Sequence, residues 1–154
     1  MLKKGGAMKE RFETFTVLIA KIGRNIRKIK NQEMTEYDLR SAHVSCLYYL
    51  YAHNSLTATE LSERCEEDKA TISRVIDYLV NSGFINYPEK DGKRYKTPLT
   101  LTEKGLEVGK KIFDKVALVL EEAGAGLSEK ERISFYRRLA KISENLECIA
   151  KKQI

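Results

Sequence analysis

A mainly α-helical fold with one small β-hairpin is predicted by three features centred on the stretch from Leu56 to Thr102. Two short helices carry their own capping signals, an alternating apolar segment is interrupted by Asp91-Gly92, and heptad-like apolar seams lie on both sides. The first short helix starts at Thr57, where Thr57-Ala58-Thr59-Glu60 lets hydroxyl and carboxylate satisfy each other's backbone N–H groups. Ala58, Leu61 and Cys65 then share one face. After Glu66 and Glu67, Asp68 is placed to cap a second helix, accepting N–H bonds and setting negative charge at the positive end of the dipole. The chain must therefore turn sharply between the two helices.

On the second helix Ile72, Val75, Ile76, Leu79 and Val80 form a single apolar stripe. Ala70, Ser73, Arg74 and Asp77 lie opposite, flanked in the first turn by Lys69 and Thr71. Small outward side chains let a helix approach the floor of a major groove about 12 Å wide, and arginine can grip guanine with two hydrogen bonds. An ordinary solvated amphipathic helix has the same pattern, so the next segment must separate the two readings. Asn81-Ser82-Gly83 stops the helix; Phe84, Ile85 and Tyr87 read as a strand closed by Pro88, and Tyr95, Thr97, Leu99 and Leu101 as its return. The tip holds Lys90, Lys93, Arg94 and Lys96. A lone basic hairpin is usually a soluble turn that discourages edge pairing. Directly after a helix-turn-helix it reads as a wing, with Arg94 or Lys93 in the adjacent minor groove and the remaining lysines on phosphates.

The run from Leu56 to Gly105, with LTATELSERC, DKATISRVIDYLVNSGFI, DGKRY and LTEKG in order, resembles the winged helix-turn-helix of the MarR family, the multiple antibiotic resistance regulators. The resemblance implies a homodimeric bacterial transcription factor on a palindromic double-stranded DNA operator, usually a repressor released by a small effector. It also implies an effector pocket between the dimer helices and the winged region, for which Phe12, Phe15, Tyr48, Tyr49 and Phe113 are the aromatic candidates; for any one of them a plain core role is the more ordinary reading. The chain departs from the family in two places. Glu66 and Glu67 occupy a turn that usually carries glycine and an apolar residue. In the wing, Asp91-Gly92-Lys93-Arg94 leaves either Lys93 in the position of the family's arginine or Arg94 displaced by one residue, and Arg94 is preferred.

The 154 residues are read as a single domain, with the winged region at 39–101 and dimerisation helices at 8–30 and 102–151. From Met8 to Lys30, Phe12, Phe15, Ile19, Ile22, Ile26 and Ile29 alternate spacings of three and four, a seam that wants a partner helix. Arg24, Arg27, Lys28 and Lys30 complement the dipole at its end. A second helix is expected over Leu39 to His53, broken by Asn54-Ser55, with Leu56 adding a strand to the wing sheet. Thr102 caps a helix bearing Gly109, Ile112, Val116, Val119 and Ala123 on one face; Gly124-Ala125-Gly126 ends it. Ser128 to Glu131 is a second capping box, opening a helix with Phe135, Leu139, Ile142, Leu146 and Ile149 in the same alternation. The terminal seams could close within one chain. A two-fold dimer would instead place two recognition helices about 34 Å apart, one turn of DNA.

A net charge of +6 and a pI near 9.2 favour a polyanionic partner, although charge alone does not separate DNA from RNA or an anionic membrane surface. No stretch approaches the roughly 20 apolar residues that span a bilayer, and MLKKGGAMKERF lacks a signal-peptide core, so a cytoplasmic protein without membrane partners is expected. Three scattered cysteines suit a reducing compartment. No phosphate-binding glycine loop or nucleophile elbow is present, so neither an enzyme nor a cofactor is expected. His43 and Cys46, at i and i+3, could share a metal, but two ligands are too few to define a site. A thiol switch at Cys46, Cys65 or Cys148 is a further option, with packing the simplest role for all three. The rival from another class is a winged-helix adaptor that meets protein instead of nucleic acid, for which Asp77, Glu66 and Glu67 speak.

Overall fold

The computed structural model describes residues 11, 13–86 and 96–152. A π-helical turn, Glu13–Val17, leads into helix α1 (Leu18–Glu33). The seam expected on one unbroken α-helix over 8–30 therefore begins in a wider turn, whose i→i+5 bonding shifts the phase of its first residues. Residues 31–33 include no glycine or proline, and α1 runs on through them. Ile19, Ile22 and Ile26 stay exposed on the chain, Ile22 at 49%.

Helix α2 (Ser41–His53) begins two residues later than its apolar pattern suggests. Leu39 is buried just before it, and the first donors of the helix are satisfied by side chains: Arg40 N–H donates to His43 Nδ1 at 3.0 Å and Ser41 N–H to Asn31 Oδ1 at 2.7 Å. The second of these bonds ties the end of α1 to the start of α2, as does Lys30 Nζ donating to Ser45 Oγ at 2.9 Å.

Helices α3 (Ala58–Cys65) and α4 (Lys69–Asn81) form as their caps predict. Thr57 N–H donates to Glu60 Oε2 at 2.7 Å, and Glu60 N–H to Thr57 Oγ1 at 3.2 Å. Between the helices, Glu66 takes a left-handed conformation (φ 53°), which costs a non-glycine residue about 1 kcal/mol or more. Ser62 holds that turn from both sides: its carbonyl accepts from Glu67 N–H at 3.2 Å, and its hydroxyl donates to the Glu67 carbonyl at 2.6 Å. The turn thus closes without the glycine usual in the resembled family. Ile72, Val75, Ile76 and Leu79 are buried and Val80 half-buried, where α4 packs on α2 and α3.

Gly83 (φ 78°) takes the chain out of α4 in a conformation that glycine adopts without strain. The base of the hairpin follows. Leu56 pairs antiparallel with Leu99 and Ile85 with Leu101, so 99–101 lies between the segment at Leu56 and that at Phe84–Asn86. Among the described residues the expected strands are reduced to these bridges. Helix α5 (Glu103–Ala123) is latched to the end of α4 by Thr102, whose hydroxyl donates to the Gly83 carbonyl at 2.6 Å and accepts from Gly105 N–H at 3.0 Å. Lys104 adds a bond to the Ser82 carbonyl and lies over the Phe84 ring.

The chain forms two compact units, Met1–Phe113 and Asp114–Ile154, with α5 contributing to both. In the second, α5 ends at Ala123 and helix α6 (Glu129–Lys152) starts from the Ser128 capping box, Ser128 N–H donating to Glu131 Oε2 at 2.7 Å. An Arg132–Glu121 ion pair at 3.0 Å joins the two helices of this unit. Phe135, Ile142, Leu146 and Ile149 are exposed along α6. No described helix is long and apolar enough to cross a membrane.

Gly105 tests the latch. A Cβ there would collide with the Phe84 carbonyl oxygen and stand 3.2 Å from Leu101 Cβ. Glycine to alanine inside a helix normally stabilises by about 0.5–1 kcal/mol. Gly105→Ala is expected to do the opposite, lowering stability in denaturant titration by about 1–3 kcal/mol through overpacking.

Candidate nucleic-acid interface

The outward end of α4 is organised by its cap. Asp68 Oδ1 accepts from Thr71 N–H at 2.8 Å while Oδ2 accepts from the Thr71 hydroxyl at 2.9 Å. The same hydroxyl accepts from Arg74 Nη2 at 3.2 Å, so Asp68, Thr71 and Arg74 form one chain of hydrogen bonds along the first two turns. The Asp68 carboxyl is held below its ordinary range first by the Thr71 backbone N–H, then by the Thr71 hydroxyl and, further off, by the Arg74 charge. Lys69, Ala70 and Arg74 are exposed; Thr71 and Ser73 are half-buried. Thr71 therefore has its hydroxyl committed to the cap and the arginine, which makes it a positioning residue for Arg74. Spacing alone does not reveal this, because Thr71 shares an outward face with Ser73 and Arg74.

A second feature that periodicity misses braces α4 against the start of α2. Tyr78 stacks on His43 with ring centroids 4.4 Å apart, and its hydroxyl donates to the Asp38 carbonyl at 2.9 Å. Burial, then the Arg40 charge, pushes the His43 pKa down, against Asp38. With Nδ1 accepting from Arg40 N–H, the neutral ring carries its proton on Nε2. His43 and Cys46 accordingly have different partners: the Cys46 sulfur meets Cys65. Among the described residues no group of three or more His, Cys, Asp and Glu could hold a metal ion.

Of the aromatic candidates for an effector pocket, Tyr48 stacks on Phe113 at 5.5 Å and meets the edge of Tyr49 at 5.3 Å, and Tyr51 joins them against Phe113. Phe15 is exposed on the π-helical turn. Phe12 lies outside the described residues, as do the hairpin-tip residues Lys90, Lys93 and Arg94. In the second unit a groove of about 280 Å³ is lined by Ala117, Leu120, Glu121, Arg132 and Tyr136, none of them an effector candidate.

Two capped helices joined by a tight turn, the second with its apolar side buried and its basic N-terminal side open, followed by the base of a hairpin, define a winged helix-turn-helix of the DNA-binding type. Residues 39–93, which hold α2, α3, α4 and the start of the hairpin, match the MarR family. The chain is 28% identical over 130 residues to YybA of Bacillus subtilis, an uncharacterised HTH-type transcriptional regulator, covering 84% of this chain and 86% of that one. The fold matches a MarR protein from Peptoclostridium difficile with a TM-score of 0.79, at 22% identity and 92% coverage of each chain. It also matches Staphylococcus aureus MepR, solved as a DNA complex, with a TM-score of 0.75 at 21% identity, over 87% of this chain and 97% of that one.

The cap makes a pH-dependent prediction. A carboxyl whose pKa is depressed by folding stabilises the fold above its unfolded value, ordinarily 3.8 for aspartate, and that contribution is lost as pH falls through the folded value. Asp68→Ala should melt below the parent protein near neutral pH. The gap between the two melting temperatures should close as pH drops below about 4, because the parent then loses the same cap. A gap independent of pH would contradict the charged cap.

Proposed function

We propose that the protein is a homodimeric repressor that occupies a palindromic operator and is released by a small effector. The observation that carries this reading is the exposed first half of α4, where Lys69, Ala70 and Arg74 face outward and Thr71 already holds the guanidinium in place. Arg74 reads a guanine edge with two hydrogen bonds while Thr71 positions it, Ser73 completes the base-reading surface, and Ala70 leaves room for close approach. Lys69, Lys90 and Lys93 hold phosphates, and Arg94 enters the neighbouring minor groove. The DNA complex known for MepR supports this use of the fold. The open stripes of α1 and α6 support a second copy as the element that covers them, because exposed apolar surface of this kind is costly to leave in water. For the effector, Phe12, Phe15, Tyr48, Tyr49 and Phe113 form the aromatic wall in this reading, which the packing of Tyr48 on Phe113 and Tyr49 supports.

Arg74→Ala should cost about 1–3 kcal/mol on the operator and much less on random duplex, relaxing preference at one base pair of each half-site. Lys90→Ala should weaken all sequences alike and flatten the salt slope by about one unit. With six to ten phosphate contacts per dimer, affinity should fall by about 10³ to 10⁵ between 50 and 200 mM salt. Equal loss on specific and random duplex would refute base reading by Arg74. Negligible, salt-insensitive binding to duplex DNA would favour the adaptor that meets protein through the same helix.

A further inference from the structure

The inner faces of α2 and α3 bring two of the cysteines together: Cys46 and Cys65, nineteen positions apart, have their sulfurs at 3.8 Å as free thiols. The two differ in a way that suits a reactive pair. Cys46 is fully buried, whereas Cys65, the last residue of α3, is half-buried. The Lys30 ammonium, anchored on Ser45, adds positive charge to this corner, with Glu67 the opposing charge. The Cys65 thiol is held below the ordinary range, first by the hydrogen bond from Cys46 and then, against the burial of its own sulfur, by Lys30. Cys46 is pushed up by the same hydrogen bond and by its burial. A peroxide reaches the less buried sulfur first, so the difference in burial and the neighbouring Lys30 charge suit Cys65 to attack and Cys46 to resolve.

We propose that Cys65 and Cys46 form a hydroperoxide-oxidisable dithiol whose intrachain disulfide lowers the DNA affinity of the helix-turn-helix. Cys65 attacks the outer oxygen of a hydroperoxide, the O–O bond breaks, and Cys65 becomes a sulfenic acid as the peroxide leaves as alcohol or water. Cys46 then attacks the Cys65 sulfur, the S–O bond breaks, and its oxygen departs as water with the Cys46 proton. The bond draws the sulfurs from 3.8 Å to about 2.05 Å, a shift that the ends of α2 and α3 must absorb. Cys65 immediately precedes Glu66, whose left-handed backbone turns the chain toward the Asp68 cap of α4, so this movement acts on the element that aims Arg74. The effect on affinity rests on the DNA-binding reading above; the chemistry of the pair does not.

The test uses the full chain carrying Cys148→Ser, so that the exposed third thiol takes no part. After one equivalent of hydrogen peroxide, non-reducing digestion and mass spectrometry should give the Cys46 and Cys65 peptides joined and lighter by two hydrogens, and dithiothreitol should separate them. Adding Cys46→Ser should leave Cys65 as a sulfenic acid trapped by a cyclic dione; with Cys65→Ser instead, Cys46 should stay a free thiol. Oxidation should weaken duplex binding by about ten-fold or more, within the usual span of a regulatory coupling, and dithiothreitol should restore it. Recovery of both thiols by alkylation after peroxide, or over-oxidation of Cys65 without the crosslink, would overturn the pair. A crosslink that leaves the affinity of a DNA-binding reduced protein unchanged would overturn the regulatory role. A reduced protein without DNA affinity would sink the function proposed above, while the peptide map would still decide the chemistry.

Discussion

Burial of the α4 stripe is the constraint on which the rest depends. Ile72, Val75, Ile76 and Leu79 are removed from water against α2 and α3, and because they recur at helical spacing, their burial dictates that Lys69, Ala70 and Arg74 point outward. Rotating the helix would expose four large aliphatic side chains, each worth about 1.5–3 kcal/mol when buried. No surface hydrogen bond could offset that. The polar face is therefore held by the hydrophobic core, and its side chains need only local adjustment to meet a ligand.

Around that fixed rotation the structure adds local devices at each end of the helix. At the N-terminus Asp68 and Thr71 cap the backbone and steer Arg74; at the C-terminus the Gly83 carbonyl is taken by Thr102, which also starts α5. Tyr78 on His43 braces the last turn against the start of α2. Helix α4 is thus tied to elements that lead toward both chain ends. Arg74 therefore stands on a helix that packs directly on α2 and α3.

Much of this was legible in sequence because it is local. The caps at Thr57, Asp68 and Ser128, the stop at Gly83 and the buried stripe all follow from residues within a turn or two of one another. The features that escaped join distant positions. Asn31 capping the start of α2, Tyr78 stacking on His43, and Cys46 meeting Cys65 each require the tertiary fold before the side chains become neighbours. The π-helical turn at Glu13–Val17 has no recognisable breaker, and the left-handed Glu66 replaces the glycine that would have announced it. For the interface itself, the outward face of Lys69, Ala70 and Arg74 could be read from spacing, whereas the engagement of Thr71 with both its neighbours could not.

The central claim is that this outward face reads sequence in double-stranded DNA. Selection of binding sites from a pool of random duplexes by the reduced full-length protein tests it most directly. The account predicts enrichment of an inverted repeat with a guanine at a fixed place in each half-site, the half-site centres about one helical turn apart. A pool that emerges without enriched sequence after repeated rounds would contradict it.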